Sequence, residues 1–190
     1  MSNSPREKKP LKELKLAFID TETTGLYPGE HELIEIGMLI YNQVEDQIEK
    51  EWNYKIAPSH IETATPIALQ LNGYNNDPNS YKGNIKSAMI KFNSLVQDAL
   101  IVGQNVSFDL GFIYCALKDL DMKPNFSRRY LDLMGLAWWA VKDSNIPGIS
   151  LESFCSHFGI SNDGAHSAIV DCRRTFEVYR KVSEYLNPNL

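Results

Sequence analysis

The chain has 190 residues, of which 43% are hydrophobic and 23% are charged, and its formal net charge is −5. This length and composition are typical of a single soluble globular domain. The acidic balance argues against a protein that binds nucleic acid through a strong overall positive field.

Two further classes are excluded by the sequence. It contains no apolar run of about 18 residues, so it predicts no transmembrane helix, and its polar first ten residues lack the apolar core of a secretory signal. Cys115, Cys155 and Cys172 are odd in number and lack the spacing of metal ligands, so we interpret them as packing residues. We expect a cytoplasmic protein without membrane association.

The first half of the chain predicts strands. Residues 1–13 are polar and lysine-rich and predict a flexible N-terminal tail, which leaves residues 14–187 as one domain. Apolar or alternating runs at 14–19, 33–41 and 47–57 predict three strands, the first of which ends at Asp20. Because their connections are short, these strands should form an antiparallel meander.

The second half alternates between helical and strand patterns. Helices are predicted over residues 85–99, from an N-cap at Ser107 to Leu120, over 133–141 and over 168–182, and strands over 100–103 and 129–131. This order predicts an α/β fold with one mixed sheet that is flanked by helices.

Two carboxylates follow the first predicted strand. Asp20 and Glu22 are two residues apart and therefore point to the same face, with Cα atoms about 6.6 Å apart. Carboxylates held this close repel each other unless a cation lies between them, and hard oxygen ligands favour Mg²⁺ or Mn²⁺. A solvated strand end followed by a turn at Thr23-Thr24-Gly25 is the alternative interpretation.

The same stretch partly matches two other kinds of site. A calcium loop that starts at Asp20 would need Glu at its twelfth position, where this chain has His31. Aspartate-nucleophile phosphatases carry an Asp-x-Asp motif at a strand end, but this chain has Glu22 in place of their second Asp. Neither match is complete.

Three more residues are candidates for chemistry. Asp109 lies in the first turn of a predicted helix, where it could also simply complement the helix dipole. His166 and Asp171 are five residues apart, which is about 140° around a helix, so they cannot lie side by side on one regular helix. They converge only if His166 precedes the helix that carries Asp171, and Gly164 makes such a loop plausible.

Together these segments resemble the DnaQ-like (DEDDh) 3′→5′ exonucleases of the ribonuclease-H-like superfamily. Residues 18–26, Phe-Ile-Asp-Thr-Glu-Thr-Thr-Gly-Leu, are similar to the first family motif, and residues 105–109, Asn-Val-Ser-Phe-Asp, to the second. His166-x4-Asp171 is similar to the third, and residues 131–137 resemble the segment between the second and third. The motifs occur in the family's order and span residues 18–171.

The resemblance implies a fold and a mechanism. The fold is a ribonuclease-H-like mixed five-stranded sheet, and two divalent cations, Mg²⁺ or Mn²⁺, are held by four carboxylates: Asp20, Glu22, Asp109 and Asp171. Two such ions stabilise the attacking and leaving oxygens of a phosphodiester. His166 would accept a proton from the attacking water, since histidine titrates near neutral pH.

The resemblance also implies a substrate-binding set. Backbone groups near Thr23 and Thr24 would hold the terminal sugar, and Leu26 and Phe108 would contact terminal bases, although core packing is an equal alternative for Phe108. The remaining members of the set are Asn72 and Asn105. Two positions depart from the family pattern, because many relatives carry His where this chain has Gln104 and Asn72.

We therefore predict a 3′→5′ exonuclease that shortens single-stranded DNA, favoured over RNA, and releases nucleoside 5′-monophosphates in proofreading or repair. A DNA polymerase is a candidate partner and a homodimer a candidate assembly. The chain ends soon after the third motif, which favours a stand-alone nuclease or a small trans-acting proofreader. The alternative from another class is a non-catalytic nucleic-acid-binding or scaffold protein on the same fold.

The acidity has an explanation in this interpretation. Two divalent ions would offset most of the net charge of −5. Basic residues at two places should also leave positive surface for a strand: Lys8, Lys9, Lys12 and Lys15 at one end, and Arg173, Arg174, Arg180 and Lys181 on the last helix.

Overall fold

A computed structural model describes residues 10–186, and within them five strands form one sheet in the order β3-β2-β1-β4-β5. The strands are β1 (Lys15–Thr23), β2 (Leu33–Asn42), β3 (Gln47–Lys55), β4 (Ala99–Gly103) and β5 (Tyr130–Asp132). The helices are α1 (Pro66–Leu71), α2 (Ile85–Leu95), α3 (Val106–Asp119), α4 (Leu133–Val141), α5 (Leu151–Phe158) and α6 (Ala168–Leu186).

The sheet is mixed, as the sequence predicts. β1 pairs antiparallel with β2, and β2 pairs antiparallel with β3, which gives the meander. On its other side β1 pairs parallel with β4, and β4 pairs parallel with β5. The carboxyl ends of three parallel strands therefore meet at one edge, where α3 and α4 begin.

Both faces of the sheet are buried along most of β1 and β2, and the alternating side chains of β1 divide between the two faces. Ala17 and Ile19 belong to the core cluster beneath α2 and α3. Leu16 and Phe18 belong to the cluster on the opposite face, together with Phe176 of α6. Because side chains alternate along a strand, Asp20 and Glu22 continue the α6 face.

A glycine allows α6 to approach this face closely. Gly37 of β2 is the partner of Asp20 in the antiparallel register. A Cβ atom at Gly37 would lie 2.3 Å from the carbonyl carbon of Ala168, the first residue of α6. Only glycine therefore lets the first turn of α6 rest on β2 beside Asp20.

Element boundaries differ from the predictions at three places. β1 does not end at Asp20 but continues to Thr23, with a register shift between Glu22 and Thr23. The N-cap of α3 is Asn105 rather than Ser107, because Asn105 adopts a left-handed conformation (φ 55°) and the helix begins at Val106. The helix predicted over residues 85–99 ends at Leu95.

Two helices were not predicted from the sequence. α1 has six residues, none of them buried, and is too short to show a helical period in the sequence. Its N-cap stabilises it, since Thr65 accepts a hydrogen bond from the Ala68 N–H. α5 is bounded by an N-cap at Ser150 and a left-handed Gly159, which are recognisable start and stop signals.

The predicted terminal segments lie partly outside residues 10–186. Of the predicted tail, Leu11–Glu13 form one 3₁₀ turn, and the Leu11 carbonyl accepts a hydrogen bond from Gln43.

The three cysteines are free thiols, and Cys155 and Cys172 are buried. Within the described part of the chain, no helix combines the length and apolar character that crossing a membrane requires.

The contact between Gly37 and α6 gives a stability prediction. We expect Gly37→Ala to lower the free energy of unfolding by about 1–3 kcal/mol, the usual cost of overpacking, because the added methyl group meets helix backbone. Gly135→Ala is the control, since a Cβ there meets no atom within 4 Å and alanine favours the helix interior. Urea denaturation measures both, and equal stability of the two variants would contradict the close approach.

Candidate active site

Three of the predicted carboxylates meet at the carboxyl end of β1. One ligand oxygen from each of Asp20, Glu22 and Asp171 lies within 4.8 Å of the others. Asp20 and Glu22 come from β1, and Asp171 comes from the first turn of α6. The contact at Gly37 places these two elements side by side.

Asp109 borders this group from the opposite side of the sheet. It lies in the first turn of α3 and is buried. Its Oδ1 accepts a hydrogen bond of 2.7 Å from the Thr21 hydroxyl, and Thr21 points to the α3 face of β1. The Asp109 charge nevertheless acts on Asp20, where it is the largest contribution after burial to a raised pKa.

Burial and mutual repulsion raise the pKa values of these acids. The pKa of Asp20 lies well above its ordinary value because of burial first, and then because of the charges of Asp109, Glu22 and Asp171. Burial, Asp171 and Glu35 raise the pKa of Glu22 to about 8. Burial also raises the pKa of Asp109, against the opposing hydrogen bond from Thr21.

These raised pKa values show that the protein itself supplies little positive charge to stabilise the ionised forms of Asp20, Glu22 and Asp109. A divalent cation with oxygen ligands would supply the missing positive charge. The donor set consists only of carboxylates, which suits Mg²⁺ or Mn²⁺ rather than a soft metal. The residues present therefore fit the cations that the family resemblance implies.

Glu35 is a further buried carboxylate at this site, and the sequence did not single it out. It lies opposite Glu22 in the β1–β2 register and is 1% exposed. Its Oε1 accepts a 2.9 Å hydrogen bond from Asn53, and Lys55 lies 3.9 Å from its Oε2. The available signal was a charged residue inside an otherwise apolar strand.

His166 lies beside the acids on a loop. It is exposed, has a φ of +65° and precedes the start of α6 by two residues. Its backbone N–H donates a 2.9 Å hydrogen bond to Asp171 Oδ2. His166 and Asp171 thus converge in the way their spacing requires, with the histidine before the helix and the aspartate in it.

Arg174 is a second residue that the sequence analysis did not place at the site. Its Nη1 lies 2.5 Å from Asp171 Oδ1, and its side chain is 7% exposed. The spacing of three residues between Asp171 and Arg174 on one helix was the signal for this pair.

Three of the predicted substrate-binding residues hydrogen-bond within the protein. The Thr24 N–H donates to the Glu32 carbonyl, and its hydroxyl accepts from the Glu32 N–H. The Thr23 hydroxyl donates to the Gly25 carbonyl. Asn72 is buried, and its amide donates to the Thr23 carbonyl at 3.0 Å and accepts from the Tyr74 N–H at 3.1 Å.

The other three lie near the same sheet edge with different exposure. Leu26 is 68% exposed in the loop after β1. Phe108 is half-buried against the core beneath α3, where its ring centroid lies 5.1 Å from that of Phe112. The Asn105 N–H donates to Asp132 Oδ1, which connects the start of α3 to the end of β5.

The prediction of positive surface along the last helix is wrong, because its cations have acidic partners. Arg173 pairs with Glu51, Arg180 with Asp46, Lys181 with Glu184, and Arg174 with Asp171. At the other end Lys15 pairs with Glu49 at 2.5 Å, whereas Lys8 and Lys9 lie outside the described residues. Arg173 and Arg180 have partners more than 100 residues away, which local sequence does not reveal.

Comparison with known proteins identifies DNA polymerase III chains and a ribonuclease T as relatives. DNA polymerase III PolC-type of Thermotoga petrophila is 28% identical over 169 residues, which cover 88% of this chain but 12% of that polymerase. DNA polymerase III subunit epsilon of Rickettsia prowazekii is 28% identical, covering 87% of this chain and 72% of the subunit. Ribonuclease T of Shewanella sp. (strain W3-18-1) is 29% identical, with coverage of 85% and 78%.

The fold and the family follow from two further matches. The structure of E. coli ExoI in complex with single-stranded DNA is similar with a TM-score of 0.79 at 20% identity, over 93% of this chain and 42% of that protein. This similarity supports the ribonuclease-H-like mixed sheet. A family model described as RNase_T exonuclease matches residues 17–179. Because this match covers most of the chain, the protein belongs to the RNase_T exonuclease family, which confirms the resemblance to the DnaQ-like (DEDDh) exonucleases.

Proposed function

We propose that the protein is a metal-dependent 3′→5′ exonuclease that hydrolyses phosphodiester bonds at the 3′ end of single-stranded nucleic acid and releases nucleoside 5′-monophosphates. One observation carries this proposal. Three carboxylates with ligand oxygens within 4.8 Å lie at the end of the central strand, beside an exposed histidine on a loop.

The carboxylates would hold the metal ions. Asp20, Glu22, Asp109 and Asp171 are the proposed ligands of two divalent cations, Mg²⁺ or Mn²⁺. When bound, such cations supply positive charge that stabilises the phosphate oxygens during in-line displacement. Asp20 and Glu22 lie on β1, the central strand of the sheet, and its pairing with β2 and β4 keeps them preorganised.

His166 is the proposed general base. Its exposed position lets the imidazole reach a water molecule, and its backbone N–H holds it close to Asp171. Imidazole is the side-chain group that most often acts as a general base in catalysis. Its task is to take one proton from the attacking water.

A single-stranded 3′ end is the proposed substrate, with DNA favoured over RNA. Leu26 is exposed in the loop after β1, the strand that carries Asp20 and Glu22, and offers an apolar contact that any base could use. Phe108 would contribute a second contact from α3. Relatives of the chain include DNA polymerase III components, which makes a DNA polymerase the proposed partner.

The departure at Asn72 does not favour a non-catalytic protein. Both ends of its amide are engaged within the fold, where they connect the segment after α1 to the carbonyl of Thr23. We interpret Asn72 as a residue that fixes the loop after β1 and thereby positions the substrate groups on it.

The function is tested with oligonucleotides. We expect purified protein with Mg²⁺ or Mn²⁺ to shorten 5′-labelled single-stranded DNA stepwise and to release a labelled mononucleotide at once from 3′-labelled DNA. Matched RNA and duplex substrates determine the preference. Asp20→Asn should abolish shortening because it removes a metal ligand, and circular dichroism would verify its fold. Metal-loaded protein that binds these oligonucleotides without shortening any of them would overturn the proposal.

A second prediction concerns the general base. His166→Ala should lower kcat by about 10²-fold or more, the usual effect of losing a general base, with little change in divalent-metal affinity. His157→Ala is the matched control, because His157 is an exposed histidine on α5. Single-turnover rates measure both variants, and equal rates for the two would remove His166 from this role.

A third prediction concerns pH and metal removal. The pKa of Glu22 rises from 4.5 to about 8 on folding, so the folded protein holds a proton that the unfolded chain loses at lower pH. The metal-free protein therefore loses stability as the pH rises through this window. In EDTA at pH 8, we expect Glu22→Gln to melt at least about 2 °C above the wild type, and near pH 4.5 the difference should vanish.

Added Mg²⁺ should reverse this order, because the wild type gains the free energy of cation binding and the variant loses a ligand. Glu177→Gln, an exposed substitution on α6, controls for the loss of one negative charge. A Glu22→Gln difference that stays constant across this pH range would exclude the proposed proton linkage. Differential scanning fluorimetry provides the melting temperatures.

A further inference from the structure

Arg174 is a buried cation next to the proposed metal ligands. The residue is 6% exposed and lies on the face of α6 that packs against the rest of the protein. Removing a guanidinium from water is costly unless carboxylates or other acceptors compensate it. The identity of its partners therefore shows what the residue is placed to hold.

The guanidinium contacts two different parts of the site. Nη1 donates to Asp171 Oδ1 at 2.5 Å, and Nη2 donates to Asn162 Oδ1. Among the described residues, Nε has no hydrogen-bond partner although it is buried. The two terminal nitrogens of Arg174 thus hydrogen-bond to one proposed metal ligand and to one residue of the loop between α5 and α6.

The contact with Asn162 reaches the loop that carries His166. Asn162 lies four residues before His166, and its amide also donates a 3.1 Å hydrogen bond to Ser156 Oγ of α5. The loop is therefore tied to α5 at one point and to α6 through Arg174. This connection fixes the chain shortly before it enters the left-handed residue His166.

The contact with Asp171 concerns cation binding. Both oxygens of this carboxylate are engaged, Oδ1 by Arg174 and Oδ2 by the His166 N–H. A cation that uses Asp171 shares its ligand with a guanidinium at hydrogen-bond distance. Two positive charges so close together repel, so the guanidinium opposes cation binding.

We propose that Arg174 is a positioning residue with two separable effects: its charge on Asp171 weakens cation binding, and its contact with Asn162 holds the loop that carries His166. The inference rests on the proposed function both for the cation site and for its kinetic consequence. The metal-free protein retains Asp171 in place through Arg174, at the expense of affinity for the ion. The loop is held whether or not an ion is bound.

Two neutralising variants test the charge effect. Arg174→Gln retains an amide donor for Asp171 without the charge, and Arg174→Met serves in its place if the glutamine variant does not fold. We expect the Kd for Mn²⁺, measured by calorimetry on the full chain, to fall by about 5- to 10-fold, which is within the usual range of coupling between sites. Arg174→Lys retains the charge and should keep the wild-type Kd within about twofold.

The loop effect has its own variant and readout. Asn162→Ala leaves the Arg174–Asp171 pair in place but removes the contact to the loop, as Arg174→Lys also does by loss of the fork. Both should increase amide hydrogen exchange across residues 159–167 in the metal-free protein and lower kcat about tenfold, because His166 is less well placed. Asn162→Ala should leave the Kd for Mn²⁺ unchanged.

Arg173→Gln is the matched control, since this neighbouring arginine pairs with Glu51 of β3 and is 52% exposed. It should change neither the Kd nor the exchange of the loop. If Arg174 had only a structural role, neutralising it would weaken both Mn²⁺ binding and activity. That result would overturn the proposal. Unchanged Mn²⁺ affinity in Arg174→Gln would also overturn the proposal, provided that the wild type binds Mn²⁺ and cleaves the oligonucleotides. A wild type that binds no Mn²⁺ would instead refute the metal site itself and this inference with it.

Discussion

The repulsion between the carboxylates at the end of β1 is the constraint on which the rest of the structure depends. Asp20, Glu22 and Asp171 bring their oxygens within 4.8 Å of one another, and because Asp171 is buried and the other two are half-buried, water screens their charges only in part. Such a group stays together only when its backbone cannot move apart. β1 is paired with β2 along its whole length and with β4 from Lys15 to Phe18, so the strand that carries two of the acids has little freedom to relax.

The third acid is held by packing rather than by strand pairing. α6 approaches β2 at Gly37, where a side chain would collide with the backbone of Ala168, and this contact places Asp171 beside Asp20. The same helix end determines where the loop with His166 arrives, because the His166 N–H donates to Asp171. A single close approach between helix and strand therefore sets the positions of a proposed metal ligand and of the proposed base.

The sequence predicts the architecture well wherever periodicity or a motif is the cause. The five strands, their mixed order and the acidic motifs follow from local patterns. The features that the sequence misses depend on distant partners. β1 continues to Thr23 because β2 pairs with it. Asn105 rather than Ser107 is the N-cap of α3, and its N–H donates to Asp132. The sequence predicts Arg173 to be unpaired positive surface, whereas in the folded protein it pairs with Glu51. Glu35 and Arg174 belong to no recognised motif, and only the packed structure brings them to the acids.

These pairings also change the meaning of the acidic composition. If the cations of α6 were free, they could attract a phosphate backbone at long range, and the metal ions would serve the chemistry alone. Since Arg173, Arg174 and Arg180 are paired with carboxylates, that helix offers little uncompensated charge, while the cluster around Asp20 repels phosphate. The attraction for a nucleic-acid end must then come largely from the cations at the cluster. In the proposed site, cation binding and substrate binding thus become one linked process, in which we propose that Arg174 moderates the affinity for the ions.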